Sequence, residues 1–193
     1  MAKVPPLRMP LDEVKAELER IRHPVRVAIR RSKNPFNVGA IIRTAHSFLV
    51  KEILLICDDD WYRLAAMGMQ RYENVVEIES EAAFVARAKA EGWHLSALEK
   101  DHDDLVGLWD SSLPEDTVIV ICNEEEGVGP EILAAADEVV AIPMFGINHS
   151  YPMTVAAGMA LCEWARRRYA GDGRLIVTPS RDGGVSGTDP SRP

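Results

Sequence analysis

The absences in this chain narrow its role first. No apolar run in its 193 residues approaches the roughly 18 needed to cross a bilayer. The first ten residues, Met1 to Pro10, have neither an apolar core nor a small-residue cleavage site, so no secretory signal is expected. Cysteine is scarce. Cys57, Cys122 and Cys162 fall inside apolar runs without metal-ligand spacing, and read as buried thiols of a cytoplasmic protein. There is no CxxC pair, P-loop, G-x-G-x-x-G turn or Ser/His/Asp order, so ordinary Rossmann and triad chemistry are not indicated.

Positive charge is also short. The net charge is -8, which argues against a nucleic-acid partner. Its distribution argues the other way. Residues 1–50 hold ten Lys/Arg against four Asp/Glu, and the remainder holds twelve against twenty-six. A basic segment on an acidic body can present a local phosphate-binding face. Ordinary solvated charge explains the same numbers, so charge alone leaves both open.

What is present is an ordinary globular composition, 47% hydrophobic and 27% charged, of a length suited to one domain. Leu11, Val14, Leu18 and Ile21 have helical spacing ahead of His23-Pro24. Strands are expected at 25–29, 52–57, 74–78, 93–98, 117–122 and 138–142. Between them, helices are expected at 37–49, 61–69, 80–91 and 130–136. A final helix is expected over 153–169, and 99–116 reads as loop. Alternating strands and helices imply an α/β fold with a mainly parallel sheet and helices on both faces. The division is a helical extension over 1–24, a domain over 25–170 and a disordered tail over 171–193, with Leu175 to Val177 as a local contact. The tail's Gly, Ser, Asp and Pro content carries that reading.

Three loops carry the chemistry. In the first, Asn34-Pro35-Phe36-Asn37-Val38-Gly39 opens a helix that contains Arg43, and helix N-termini favour anions. In the second, a buried strand breaks into Cys122-Asn123-Glu124-Glu125-Glu126-Gly127. A carboxylate just beyond a buried strand can bind a hydroxyl, an amine or a metal. Asp58-Asp59-Asp60 has the same chemistry, and a Mg²⁺-dependent phosphohydrolase is the reading it would support. The third loop, Ile142 to Pro152, is stiffened by Pro143 and Pro152 and turned by Gly146. Ligands of parallel α/β sheets sit at such strand ends.

Together these stretches resemble the SpoU (TrmH-type) RNA 2′-O-ribose methyltransferases of the SPOUT superfamily. The first family motif, N-x-x-N-x-G-x-x-x-R-T-A, is matched by Asn34, Asn37, Gly39, Arg43, Thr44 and Ala45. The second is matched by Glu124, Gly127, Ile142, Pro143 and Met144, with Cys122 where the family usually has Gly. In the third, Ser150 and Ala156 are kept, Thr154 replaces Ser, and Pro152 replaces an Asn whose side-chain hydrogen bond Pro cannot make. Asn148 is the candidate substitute.

The resemblance implies a deep C-terminal trefoil knot (the SPOUT, or α/β knot, fold), an exception to unknotted topology. It also implies S-adenosylmethionine in the knot loops and a homodimer that brings Arg43 to the other subunit's methionine. By position, the cofactor would touch Ala97, Leu98, Cys122, Asn123, Gly127, Ile142, Met144, Ser150 and Tyr151. Arg43, Asn37 and Glu124 would be the catalytic group, with Asn37 holding Arg43 and Glu124 supporting either. Arg30, Arg31, Lys33, Asn34 and Arg43 would meet RNA. No metal is required. The expected substrate is tRNA, with ribosomal RNA second, read without a separate RNA-binding module. The competing expectation is an inactive RNA-binding or assembly protein that kept the fold.

Overall fold

The computed structural model describes residues 9–30, 32–57, 61–122 and 125–169, with short strands at 178–179 and 185–186. Arg31, Asp58 to Asp60, Asn123, Glu124 and Leu175 to Val177 lie outside the described residues.

The central strands of the sheet form from short runs that are buried on both faces. Its strands are β1 (Arg26–Arg30), β2 (Glu52–Ile56), β3 (Val75–Ile78), β4 (Leu95–Leu98), β5 (Leu105–Gly107), β6 (Val118–Cys122) and β7 (Glu138–Ala141). Among the described residues these seven make one sheet in the order β3-β2-β1-β6-β4-β7-β5. Every pairing is parallel, with Arg30 level with Cys122 and Leu98 level with Val140.

Alternate strand residues feed two cores. Val27, Ile29, Leu55, Ile119 and Ile121 pack on one face with residues of α2 (Pro35–Ser47) and α5 (Met153–Tyr169). Ala28, Leu54, Ile56, Val118 and Val120 pack on the other with residues of α3 (Glu81–Glu91) and α4 (Pro130–Ala135). Burial on both faces explains why β2 and β6 read as continuous rather than alternating apolar runs. Each wholly buried Ile or Leu contributes about 1.5–3 kcal/mol.

Local signals set the helix ends. Asn34 Oδ1 accepts the Phe36 N–H at 3.0 Å, and Pro35 occupies the first turn of α2. Ser80 Oγ accepts the Ala83 N–H at 3.1 Å, and Gly92 closes α3 in the left-handed region at φ +67°. The N-terminal helix α1 (Leu11–Glu19) is followed by Arg22, whose side chain is 2% exposed and pairs with Glu73.

Several expectations are corrected. The helix expected at 61–69 is two 3₁₀ turns, Arg63–Ala66 and Met69–Arg71, separated by Met67 and Gly68 at positive φ. A strand, β5, runs through the expected 99–116 loop at the sheet edge. The thiols are not all buried: Cys162 is exposed, and Cys57 and Cys122 are partly so. Separately from these corrections, Thr178–Pro179 pairs antiparallel with Val185–Ser186. Among the described residues, no helix is long and apolar enough to cross a membrane.

Candidate active site

The adjacent strands β6, β4 and β7 end together, and a cleft opens at their carboxyl ends. Leu98, Glu99 and Lys100 line it from β4, Ile121 and Cys122 from β6, and Val140, Ile142 and Met144 from β7. Ser150, Tyr151, Met153 and Ala156 close it from the third loop and the start of α5. About 560 Å³ is empty, part of it continuous with solvent. The walls are mainly apolar with a few polar groups at the rim, as suits a flat organic ligand. Tyr151 donates its hydroxyl to the Pro143 carbonyl at 3.0 Å, which ties the two ends of the third loop together. The loop's tip carries Phe145 and Ile147, 88% and 100% exposed. Asn148 donates to the Ser150 carbonyl at 3.3 Å and so shapes this turn.

The second loop, after β6, is held by the strands on either side of β6. From β1, Arg30 donates to the Gly127 carbonyl at 2.9 Å and pairs with Glu81 at 2.7 Å and Glu126 at 3.4 Å. From the end of β4, Glu99 accepts the Val128 N–H at 2.9 Å on one oxygen and the Lys100 N–H at 2.8 Å on the other. Gly127 sits at φ +63°, and a Cβ there would lie 2.5 Å from the Glu99 carboxylate. Glycine is therefore needed twice over, for its backbone angle and for this close approach.

The first loop meets the second through charge. Lys33 pairs with Glu125 and, at 3.5 Å, with Glu126. The Glu125 hydrogen bond raises its pKa above the usual lysine value. The basic and acidic runs therefore meet at neighbouring strand ends. Two expected RNA contacts have internal uses: the Arg30 side chain is 12% exposed within its ion pairs, and Asn34 caps α2.

Arg43 is different. It lies on the outer face of α2, exposed, with Phe36 two turns before it and Ser47 one turn after. Among the described residues its side chain has no hydrogen bond or ion pair, and it does not line the cleft. The expected Asn37–Arg43 contact is absent. Six residues separate them, roughly 9 Å along the helix axis. The Asn37 amide instead lies 3.8 Å from the Met153 thioether, which links the first motif to the cleft wall.

The comparisons with known proteins point the same way. The family model described as the SpoU rRNA methylase family matches residues 24–162. The chain belongs to that family. A tRNA (guanosine(18)-2′-O)-methyltransferase of Escherichia coli K12 is 29% identical over 145 residues, which cover 74% of this chain and 63% of that enzyme. The chain thus spans under two thirds of that relative's length. The enzyme of the same description from Aquifex aeolicus is 26% identical over 167 residues, covering 82% of this chain and 76% of the relative. The crystal structure of the A. aeolicus TrmH/SpoU tRNA modifying enzyme superposes with a TM-score of 0.72 at 22% identity, covering 90% of this chain and 91% of that one. An S-adenosylmethionine-bound rRNA methyltransferase from Sinorhizobium meliloti gives 0.68 at 25% identity, covering 78% and 60%.

Set beside the SpoU motifs, six of the expected cofactor residues line one cleft: Leu98, Cys122, Ile142, Met144, Ser150 and Tyr151. Ala97 is fully buried one residue behind it, and Gly127 stands in the loop held by Arg30 and Glu99. The Cys122 Sγ lies 3.7 Å from the Leu98 carbonyl, so the residue at the SpoU glycine position is in contact with β4. Sequence reasoning missed Glu99. It is the first charged residue after buried β4, the same signal that singled out Glu124 after β6. Among the described residues, no group of three His, Cys, Asp or Glu is placed to hold a metal ion.

Proposed function

We propose that the protein transfers a methyl group from S-adenosylmethionine to a ribose 2′-hydroxyl of a structured RNA, tRNA first and ribosomal RNA second. The observation that carries this reading is that residues of the second and third motifs line one cleft at the ends of β4, β6 and β7, and that the first motif reaches its wall through Asn37 and Met153. The cleft suits the cofactor: its apolar walls accept a flat purine, and its rim offers loop backbone and the Ser150 hydroxyl. Leu98, Cys122, Ile142, Met144, Ser150 and Tyr151 would hold it. When bound, S-adenosylmethionine supplies an electrophilic methyl group on a sulfonium.

The chain's own task is to position the RNA and to ease loss of the 2′-OH proton as the new O–C bond forms. Arginine stays protonated in proteins, so Arg43 is not a simple base. Its guanidinium clamps the neighbouring phosphate and lowers the cost of the developing alkoxide. A phosphate oxygen or water takes the proton. Among the described residues Arg43 has no side-chain partner and lies off its own cleft, which favours a homodimer in which it serves the other subunit's cleft. Exposed Phe145 and Ile147 at the loop tip and Val155 on α5 offer apolar surface for that contact. A trefoil knot formed by the C-terminal chain and a cytoplasmic location belong to the same reading, as does the division into an extension, a 25–170 domain and a tail.

The test is methyl transfer from labelled S-adenosylmethionine to unmodified tRNA and, separately, ribosomal RNA, with Arg43→Ala alongside. Label in alkali-resistant dinucleotides, lost in the variant, is the expected result. Cofactor and RNA binding without transfer to either RNA would favour the inactive assembly protein, for which Pro152 at the family's Asn position is the motivating observation.

A further inference from the structure

One peptide group beside the cleft is gripped from both sides by opposite charges. The Gly127 carbonyl and the Val128 N–H belong to the same peptide unit. The carbonyl accepts from the Arg30 guanidinium at 2.9 Å, and the N–H donates to the Glu99 carboxylate at 2.9 Å. The two charges come from β1 and β4, the strands that flank β6 in the sheet, while the peptide belongs to the loop after β6. The central strand's loop is therefore fastened to both neighbours at one point.

We propose that Glu99 and Arg30 are positioning residues for cofactor binding. They fix the orientation of the Gly127–Val128 peptide, and through it the backbone of the second-motif loop at the cleft. The inference rests on the methyltransferase reading above. Glu99 is the more informative of the pair, because it also lines the cleft. Both of its oxygens accept backbone N–H groups. An amide cannot reproduce this. Glutamine has one acceptor oxygen, and its NH₂ would face the second N–H. An aspartate is one methylene too short to span from the end of β4 to Val128. Gly127 completes the device, since any side chain there would push the carboxylate off the peptide.

Glu99→Gln has almost the volume of the native residue, so it is the variant to test first. Calorimetry should show S-adenosylmethionine affinity weakened roughly 10- to 100-fold, the range expected for a lost charge-assisted hydrogen bond. The melting temperature should fall by no more than a few degrees (~4 °C). Amide exchange of the 125–129 segment should quicken while that of β6 does not. In methyl transfer, KM for the cofactor should rise, with kcat at saturation and KM for RNA nearly unchanged. Gly127→Ala should reproduce the defect. Combining Glu99→Gln with Arg30→Gln should cost less than the product of the single effects, because both act on one peptide. Equal cofactor affinity in wild type and Glu99→Gln, or unchanged exchange at 125–129, would overturn the proposal. A wild-type protein that fails to bind the cofactor would instead overturn the methyltransferase reading itself.

Discussion

Arg22 and Glu73 form an ion pair 2.7 Å apart with side chains 2% and 0% exposed. Arg22 also donates to the carbonyls of Val50 and Tyr72, and His46 Nδ1 lies 2.6 Å from the other Glu73 oxygen. The chain after α1 is thereby fastened to α2, to the turn before β2 and to the segment before β3. Removing one partner of such a pair leaves a buried, uncompensated charge. Glu73→Ala should cost about 3–5 kcal/mol in chemical denaturation. A loss below about 1 kcal/mol would indicate that water reaches the pair, as it does for surface bridges.

The arginine triplet ending α5 looks like an RNA-binding cluster, yet Arg167 faces inward. Its guanidinium donates to the carbonyls of Leu108, Trp109, Ser111 and Ser112, and pairs with Glu163 at 2.8 Å. It closes the 108–112 loop by donating to four of its carbonyls, one of which, that of Leu108, also accepts the Ser111 hydroxyl. Arg167→Lys keeps the charge but loses the planar fork. It should lower stability by about 1–3 kcal/mol and leave RNA affinity unchanged. Arg166, 62% exposed, holds only Glu163, so Arg166→Ala should cost less stability than Arg167→Ala. Equal RNA-binding losses in both variants would refute this division of labour.

Glu163 gives the fold an acid limb. Hydrogen bonding from Arg166, opposed by burial and aided by Arg167, lowers its pKa from 4.5 to about 2. A depressed folded-state value means the contribution is complete above the unfolded pKa and is lost as pH falls through the folded one. Stability should therefore decline between about pH 4.5 and 2, and Glu163→Gln should flatten that decline. An acid limb unchanged in the variant would assign the loss to other carboxylates.

Gly39 is where α2 approaches the 3₁₀ turn over 63–66. A Cβ there would lie 2.7 Å from Ala65 Cβ and 2.8 Å from the Ala66 nitrogen. The obstacle is partly backbone, so it does not swing aside. Gly39→Ala gains at most about 1 kcal/mol of helix propensity against about 1–3 kcal/mol of overpacking. Net destabilisation is the expected result of a denaturation curve. A stabilised variant would show that the turn moves away without cost.

The fold was legible where burial was two-sided. Strands β2 and β6 read as uninterrupted apolar runs because two cores claim their alternate residues, and β1 was read from the alternation of Val25 to Ile29. Strand β5 was not legible. Three residues, Leu105 to Gly107, pair only with β7 at the sheet edge and follow a polar run, so nothing local marks them. The place of the cleft was legible because the motifs mark loops at strand ends, and six of its lining residues were named from the family resemblance, while Glu99 and Met153 were not. Pairings across the sheet were not. Asn37 and Met153 lie 116 positions apart, and Arg30 looked like an RNA contact until β6 was set beside β1 and brought Glu126 and Gly127 within its reach. Residue type announced the charge, and only topology revealed its partner.

Arg43 poses the sharpest test of how the site is assembled. If it serves the other subunit's cleft, two inactive variants can repair each other. Arg43→Ala keeps an intact cleft but lacks the guanidinium. Ile142→Trp fills the cleft, which Ile142 lines, but keeps Arg43. Each alone should be inactive in methyl transfer. Mixed as unfolded chains and refolded together, half the dimers would carry one of each, with one competent site of two. About a quarter of wild-type activity should return, as the two-fold symmetry of a homodimer requires. No recovery, with mixed dimers demonstrated by tagging, would mean that Arg43 acts on its own chain. The α2 face it shares with Phe36 would then have to move toward the cleft before reaction.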